Sequence, residues 1–312
     1  MKNYQSSGLD YKFLNYSSEF SFPNSIECYP RVGERYRLCP VDNLLGVSVF
    51  HSTYYRLPSI SNVSVVTTVH DFIYEIQVGG IKALVHSFQK NRAIRASDRI
   101  ICISENTKHD LLHFLPDVSE DRISVVYNGV SDDYYKLGDT EYDNYALFVG
   151  ARGGYKNFKF AVDLVSTIPG LALCIVGGGK LNSSELDYLN SKIGGRFRAL
   201  GYVNVHDLNL LYNKALCLIY PSSYEGFGIP VVEAMKAGCP VVALNKSSIP
   251  EIAGGAALLG ESLDVDYFHD MVMELYKDKF RSFYVNAGLG NSERFSWAKC
   301  AKETLNVYSE LR

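Results

Sequence analysis

The sequence predicts an α/β protein built from two doubly wound parallel-sheet domains that face one another across a cleft. Short apolar runs alternate with amphipathic segments along most of the chain, the order expected of β-α repeats. The apolar runs are unbroken rather than alternating, as in strands covered by helices on both faces. At 312 residues the chain is about twice the length of a usual domain of ~150.

Each element follows from its stretch of sequence. In the first half, VSVF (47–50), VVTTV (65–69), RIICI (99–103) and ISVVY (123–127) read as strands. A long helix is predicted near 79–96 and a shorter one after Ser104, a good N-cap. Asn128-Gly129 closes this half with a turn signal, and the polar, aperiodic stretch 130–144 is the expected linker. In the second half the strands are YALFVG (145–150), LALCIV (171–176), RALGYV, LCLIYP, PVVAL and AALL. Helices are expected in KNFKFAVDLVSTI, near 183–192, in HDLNLLYNKA and from Ile229. Ahead of residue 46 the pattern thins: YKFLNY supplies one possible strand, and polar sequence with Pro23, Pro30 and Pro40 follows. The expected division is 1–140 and 141–295, with 296–312 as a closing helix. In a doubly wound pair, the cleft lies between the carboxyl ends of the strands, where such folds bind ligands.

Composition removes several function classes. Thirty-one Lys and Arg face 34 Asp and Glu, and neither half is basic, which speaks against an extended nucleic-acid surface. The N-terminus has no apolar signal core, and no run of 18 apolar residues is present. The seven cysteines are scattered without metal spacing, several inside apolar runs, as buried reduced thiols of a cytoplasmic protein would be. No metal site is expected.

The most informative stretch is PSSYEGFGIPVVEAMKAGCPVVA (221–243). Pro230 suits the first turn of a helix because its missing N–H needs no partner there. Gly226 and Gly228 leave backbone N–H groups open to a ligand, beside a helix N-terminus that favours an anion. Carboxylates beside an anion site repel phosphate, so Glu225 and Glu233 fit hydroxyl groups better. A diphosphate lying between two polyols describes a nucleotide sugar.

This stretch resembles the E-x7-E signature of the large retaining glycosyltransferase family 4, which has the GT-B fold of two Rossmann-like domains. FVGARGGYKN (148–157), LCIVGGG, ALGYV, SSIPEIAGGAALL and RFSW (294–297) are similar to further landmarks of its donor domain. VVTTVHDF, RIICISENTKHDL and ISVVYNGV are similar to its acceptor domain. The resemblance runs from about residue 46 to the end. It implies that Arg152 and Lys156, beside Gly150, hold the donor diphosphate. It assigns Glu225 to hexose hydroxyls and Glu233 to the ribose. The backbone of Gly226, Phe227 and Gly228 would contact sugar and phosphate, and that of Gly201, Tyr202 and Val203 the base. His70 and Asp71 match an HD pair at the cleft edge, where His70 would meet the donor sugar or the incoming hydroxyl. His51 and Tyr54 are expected in an acceptor-facing loop after VSVF.

The implied activity is metal-independent, retaining hexosyl transfer in cell-surface polysaccharide synthesis. The acceptor would be a saccharide or lipid-linked saccharide. GDP-mannose is the first donor expectation, because the HD and EGFGIP variants resemble bacterial O-antigen mannosyltransferases and deoxyhexosyltransferases. No separate cofactor is implied. Two rivals are a donor-binding subunit that needs a partner chain and a GT-B sugar-nucleotide epimerase. The first is motivated by the acceptor domain, which looks abbreviated because the family's opening strand and glycine-rich loop are not found before residue 46.

Three other features have simpler readings. Gly177-Gly178-Gly179 lacks the final glycine of a dinucleotide fingerprint. Asp264-Val265-Asp266 reads as a helix start rather than a metal motif. The helix 79–99 holds five basic residues and one acidic; a solvated face is the default, with peripheral membrane or lipid-diphosphate contact as the rival.

Overall fold

Two parallel sheets carry the fold in the computed structural model, which describes residues 10–16, 24–28, 33–41, 46–138 and 141–311. The side chains of Arg35 and Lys82 lie outside the description, as do Pro23, Pro30 and, within the expected linker, Asp139 and Thr140.

The smaller sheet pairs β3 (Val49–Ser52), β4 (Ser64–Val69), β5 (Arg99–Cys102) and β6 (Ile123–Val125) in chain order. Between β4 and β5 run α1 (Ile73–Ile76) and α2 (Ile81–Ala96). Between β5 and β6 runs α3 (Glu105–Phe114), capped as expected by the Ser104 hydroxyl, which accepts the Thr107 N–H. A separate parallel pair, β1 (Phe13–Asn15) and β2 (Ser25–Glu27), takes up part of the YKFLNY run.

The larger sheet contains β7 (Tyr145–Val149), β8 (Ala172–Val176), β9 (Phe197–Gly201), β10 (Cys217–Tyr220), β11 (Val241–Leu244) and β12 (Leu258–Gly260). Its order is β12-β11-β10-β7-β8-β9, so winding reverses between β7 and β10. Its connecting helices are α4 (Phe158–Ser166), α5 (Ser183–Ile193), α6 (Val205–Lys214), α7 (Ile229–Lys236) and α8 (Ile249–Ala253). Then come α9 (Val265–Glu274), α10 (Asp278–Ser292) and α11 (Trp297–Ser309). Asp264 caps α9 by accepting the Asp266 and Tyr267 N–H groups, so the D-x-D run is a helix start.

Strand residues alternate between two cores. Leu147 and Leu218 pack with Val231, Val232 and Tyr212, while Ala146, Phe148 and Ile219 pack with Phe158, Leu173 and Phe268. Both faces of the larger sheet are therefore covered, which accounts for its unbroken apolar runs. The last helix returns to the smaller sheet: Val307 of α11 packs against Val66, Ile101 and Val126.

The predicted basic helix needs correction. Lys90 is fully buried, paired with Glu75 at 2.7 Å and over the Phe72 ring at 3.9 Å. Arg95 pairs with Asp117 on the surface, and Arg99 lies on β5 and pairs with Glu310. Alongside the exposed Arg92 and Arg95, α2 presents apolar side chains to the surface: Ile81, Leu84 and Phe88 are 80%, 70% and 72% exposed. A charge count along the chain could not separate a lysine facing the core from one facing water.

Candidate functional site

The loops after β7 and β10 leave neighbouring hydrogen-bonded strands at the winding reversal, the place where open α/β sheets form a ligand crevice. Several bonds stitch these loops together. Ser223 donates its N–H to the Tyr155 carbonyl at 2.8 Å. The Asn157 amide reaches the Pro221 carbonyl at 2.8 Å and the Ser223 hydroxyl at 2.7 Å. Behind them, the Ser247 hydroxyl accepts the Glu225 N–H at 2.7 Å, and the Ser248 hydroxyl donates to the Glu225 and Phe227 carbonyls, each at 2.9 Å. Sequence motifs did not single out Asn157, Ser223, Ser247 or Ser248, because their work is to hold backbone.

This scaffold brings Lys156 and Glu225 together. Lys156 ends a single 3-10 turn (154–156), and its Nζ lies 2.5 Å from Glu225 Oε1 and 3.4 Å from the Tyr220 hydroxyl. Both charged side chains are largely but not wholly buried. Gly150 ends the strand beneath them, its N–H held by the Val176 carbonyl at 2.9 Å. Gly228, in a left-handed conformation, caps α7, and Pro230 sits in the first turn as predicted. Phe227 is buried, so only its backbone faces the loop.

Glu233 lies one turn into α7 and accepts the Tyr212 hydroxyl at 3.0 Å. Burial raises its carboxyl above the usual range, although hydrogen bonds from Tyr212 and Tyr134 oppose the shift. Gly201 accepts the Gly177 N–H at 2.7 Å at the end of β9. Tyr202 beside it is 91% exposed, and Val203 packs on the core.

Arg152 is engaged elsewhere. Its guanidinium grips Glu185 with two bonds of 2.9 and 3.1 Å and donates to the carbonyls of Gly177, Gly179 and Lys180. All five N–H donors are thereby satisfied. A Cβ at Gly178 would fall 2.5 Å from Arg152 Nη1, so the triple glycine is the wrapping of this arginine. Lys156 alone of the two predicted cations stands beside Glu225. Sequence spacing placed Arg152 on the correct loop but did not reveal Glu185, whose carboxyl the arginine holds below its ordinary range.

On the opposing side, His70 ends the β4 segment with its Nε2 3.3 Å from the Thr53 carbonyl. The Asp71 carboxylate accepts the Ile73 N–H at 3.1 Å, at the start of α1. A Cβ at Gly226 would overlap the His70 carbonyl oxygen. In this structure the bare glycine makes room for the opposing half of the chain rather than for a ligand. Tyr54 is exposed beside Tyr55 and His86.

His51 corrects an expectation. It lies within β3, not in a loop, with Nδ1 at 2.5 Å from the Tyr308 hydroxyl and Nε2 at 2.7 Å from Thr68 Oγ1. Burial, with His70 adding repulsion, lowers its pKa to about 4. One ring nitrogen docks α11 through Tyr308 and the other bonds Thr68 of β4, so both are engaged within the fold.

Comparison with known proteins identifies the family and the fold. A family model described as "Glycosyl transferases group 1" matches residues 134–288, and one described as "Glycosyltransferase Family 4" matches residues 8–134. The chain is 28% identical over 285 residues to an O-antigen chain mannosyltransferase B of Escherichia coli, covering 84% of this chain and 74% of that protein. It is 29% identical to an O-antigen chain mannosyltransferase of Salmonella typhimurium, covering 66% of this chain and 59% of that one. Among solved structures, the sucrose-phosphate synthase of Thermosynechococcus elongatus superposes with a TM-score of 0.73 at 20% identity, covering 86% of this chain and 75% of that one. A lipopolysaccharide-biosynthesis glycosyltransferase gives 0.65 at 15% identity, covering 85% and 78%.

Proposed function

Because the chain belongs to the group 1 and family 4 glycosyltransferases of the GT-B fold, we propose that it is a retaining hexosyltransferase. It transfers mannose from GDP-mannose to a hydroxyl of a saccharide or lipid-linked saccharide. The Lys156–Glu225 pair carries this reading. It stands at the sheet's switch point, beside the N-terminus of α7 and opposite the His70 turn. In the free protein each charge neutralises the other. A bound donor separates them: Lys156 turns to the diphosphate, and Glu225 accepts from hexose hydroxyls. Glu233 accepts from the ribose, and the Gly201–Val203 backbone meets the base. The acceptor oxygen bonds to the sugar's C1 on the face from which the diphosphate departs. As the C1–O bond breaks, the leaving phosphate oxygen takes the acceptor proton. Lys156 and the helix N-terminus stabilise the developing negative charge, so transfer is expected to survive chelation of divalent cations.

The curated relatives' names motivate the mannose donor and the saccharide acceptor. We place the reaction at the cytoplasmic face of a membrane. No described helix is long and apolar enough to cross one, and the exposed Ile81, Leu84 and Phe88 of α2 give a lipid surface something to hold. The test is nucleotide release from a panel of nucleotide sugars, with and without octyl α-mannoside and with and without EDTA. Acceptor-dependent GDP release from GDP-mannose supports the reading. Donor isomerisation without acceptor, or hydrolysis that becomes transfer only when a partner chain is added, contradicts it. Co-sedimentation with anionic vesicles, lost in Leu84→Glu, tests the membrane contact.

A further inference from the structure

The residue just before Glu225 belongs to the second half of the chain but is packed inside the first. Tyr224 is 4% exposed, and its ring lies in a cluster with Val69, Phe72, Leu111 and Leu115. Its hydroxyl accepts the Phe72 N–H at 2.9 Å and donates to the Asp110 carboxylate at 2.7 Å. Phe72 follows His70-Asp71 directly, and Glu225 follows Tyr224 directly. One hydroxyl therefore ties the backbone that carries His70 to the backbone that carries Glu225. The tie is reinforced next door, where Ser104 and Thr107 donate to the Gly226 carbonyl at 2.7 and 3.2 Å. From behind, Lys90 donates to the Asp71 carbonyl at 3.0 Å and holds the same turn in place.

We propose that Tyr224 is a positioning residue that sets His70 against Glu225 and so couples cleavage of the donor to attack by an acceptor hydroxyl instead of water. The proposal rests on the glycosyltransferase reading above. A tyrosine hydroxyl can accept from one group and donate to another; phenylalanine keeps the ring and loses both. A shift of about 1 Å in a reacting pair costs on the order of 10²-fold in rate, so a small relaxation of this tie is visible in the product ratio.

Tyr224→Phe is the test, with Glu251→Gln as comparator. Glu251 also crosses between the halves, accepting the Glu105 and Asn106 N–H groups at 2.7 and 3.2 Å, but it does not touch the His70 turn. With GDP-mannose and octyl α-mannoside, Tyr224→Phe is expected to raise the ratio of hydrolysis to transfer about tenfold, while the Kd for GDP stays within about twofold. Exchange of the Phe72 amide, protected in the parent, should quicken by a similar factor. Glu251→Gln should keep the parental ratio. If Tyr224→Phe does not fold, Asp110→Ala leaves the ring in place, removes the hydroxyl's acceptor and is expected to shift the ratio in the same direction. An active parent with an unchanged ratio in the Tyr224 variant, or the same shift in Glu251→Gln, overturns the coupling alone. A parent that transfers nothing from any donor overturns the functional reading and the coupling with it.

Discussion

The two halves of the molecule use their ionisable groups differently. In the first half, those behind the His70 turn and within β3 are built into the packing. Lys90 is fully buried with Glu75 behind the His70 turn, and His51 is locked between Tyr308 and Thr68. In the second half, the Lys156–Glu225 pair rests on loops fastened through other atoms: the Asn157 amide, the two serine hydroxyls and backbone bonds. Separating Lys156 from Glu225 leaves that scaffold intact, whereas removing Lys90 undoes the packing that holds the opposing turn. Buried charge in the first half makes a platform, and under the proposed function the pair at the switch point of the second half is the charge that a substrate engages.

Substitutions can sharpen or break this contrast. Lys90→Met leaves Glu75 buried without its cation and should cost about 3–5 kcal/mol, measured by chemical denaturation. The double change Lys90→Met with Glu75→Leu should recover most of that loss, since an apolar pair of similar volume is tolerated. Lys156→Ala and Glu225→Ala should instead each lower GDP-mannose turnover by about 10²–10³-fold, with melting temperatures close to the parent's. A large loss of stability in either one would put it in the same class as Lys90.

Arg152→Ala is expected to behave like the first half although it lies four residues from Lys156. It strips Glu185 and three carbonyls of their donor and should cost about 2–3 kcal/mol. Arg152→Lys should not restore it, because an ammonium cannot reproduce the five-donor fork. The smallest effect concerns His51, whose folded pKa of about 4 lies below its ordinary value near 6.5. The folded protein therefore holds the neutral ring while the unfolded chain takes up a proton. Stability should be full above about pH 6.5, decline as pH falls toward 4 and level off below, by about 2 kcal/mol given partial exposure of the ring. His51→Gln should flatten this slope in denaturation curves taken across that range.

Much of this was readable from the sequence, for identifiable reasons. Strands of the larger sheet stand out because both faces are covered, and the α7 start at Ile229 follows from Gly228 and Pro230. Glu225 was singled out by the loop motif around it and Lys156 by the family resemblance of its loop, and the structure brings the two side chains together. His51 was misplaced because β3 begins two residues later than VSVF suggests, which moves the histidine from the loop into the strand. The partners of Arg152 and Tyr224 were hidden because Glu185 and Phe72 lie far away in sequence. Lys90 was hidden because neighbouring charges on α2 face opposite ways.

The central claim is that the Lys156–Glu225 site performs retaining mannosyl transfer. It is tested most directly by following GDP-mannose labelled with 13C at C1 by NMR in the presence of octyl α-mannoside. The account predicts that the C1 signal moves into an α-glycoside as GDP appears, and that this conversion falls at least 100-fold in Lys156→Ala. A β-glycoside product, or conversion that Lys156→Ala leaves unchanged, would contradict it.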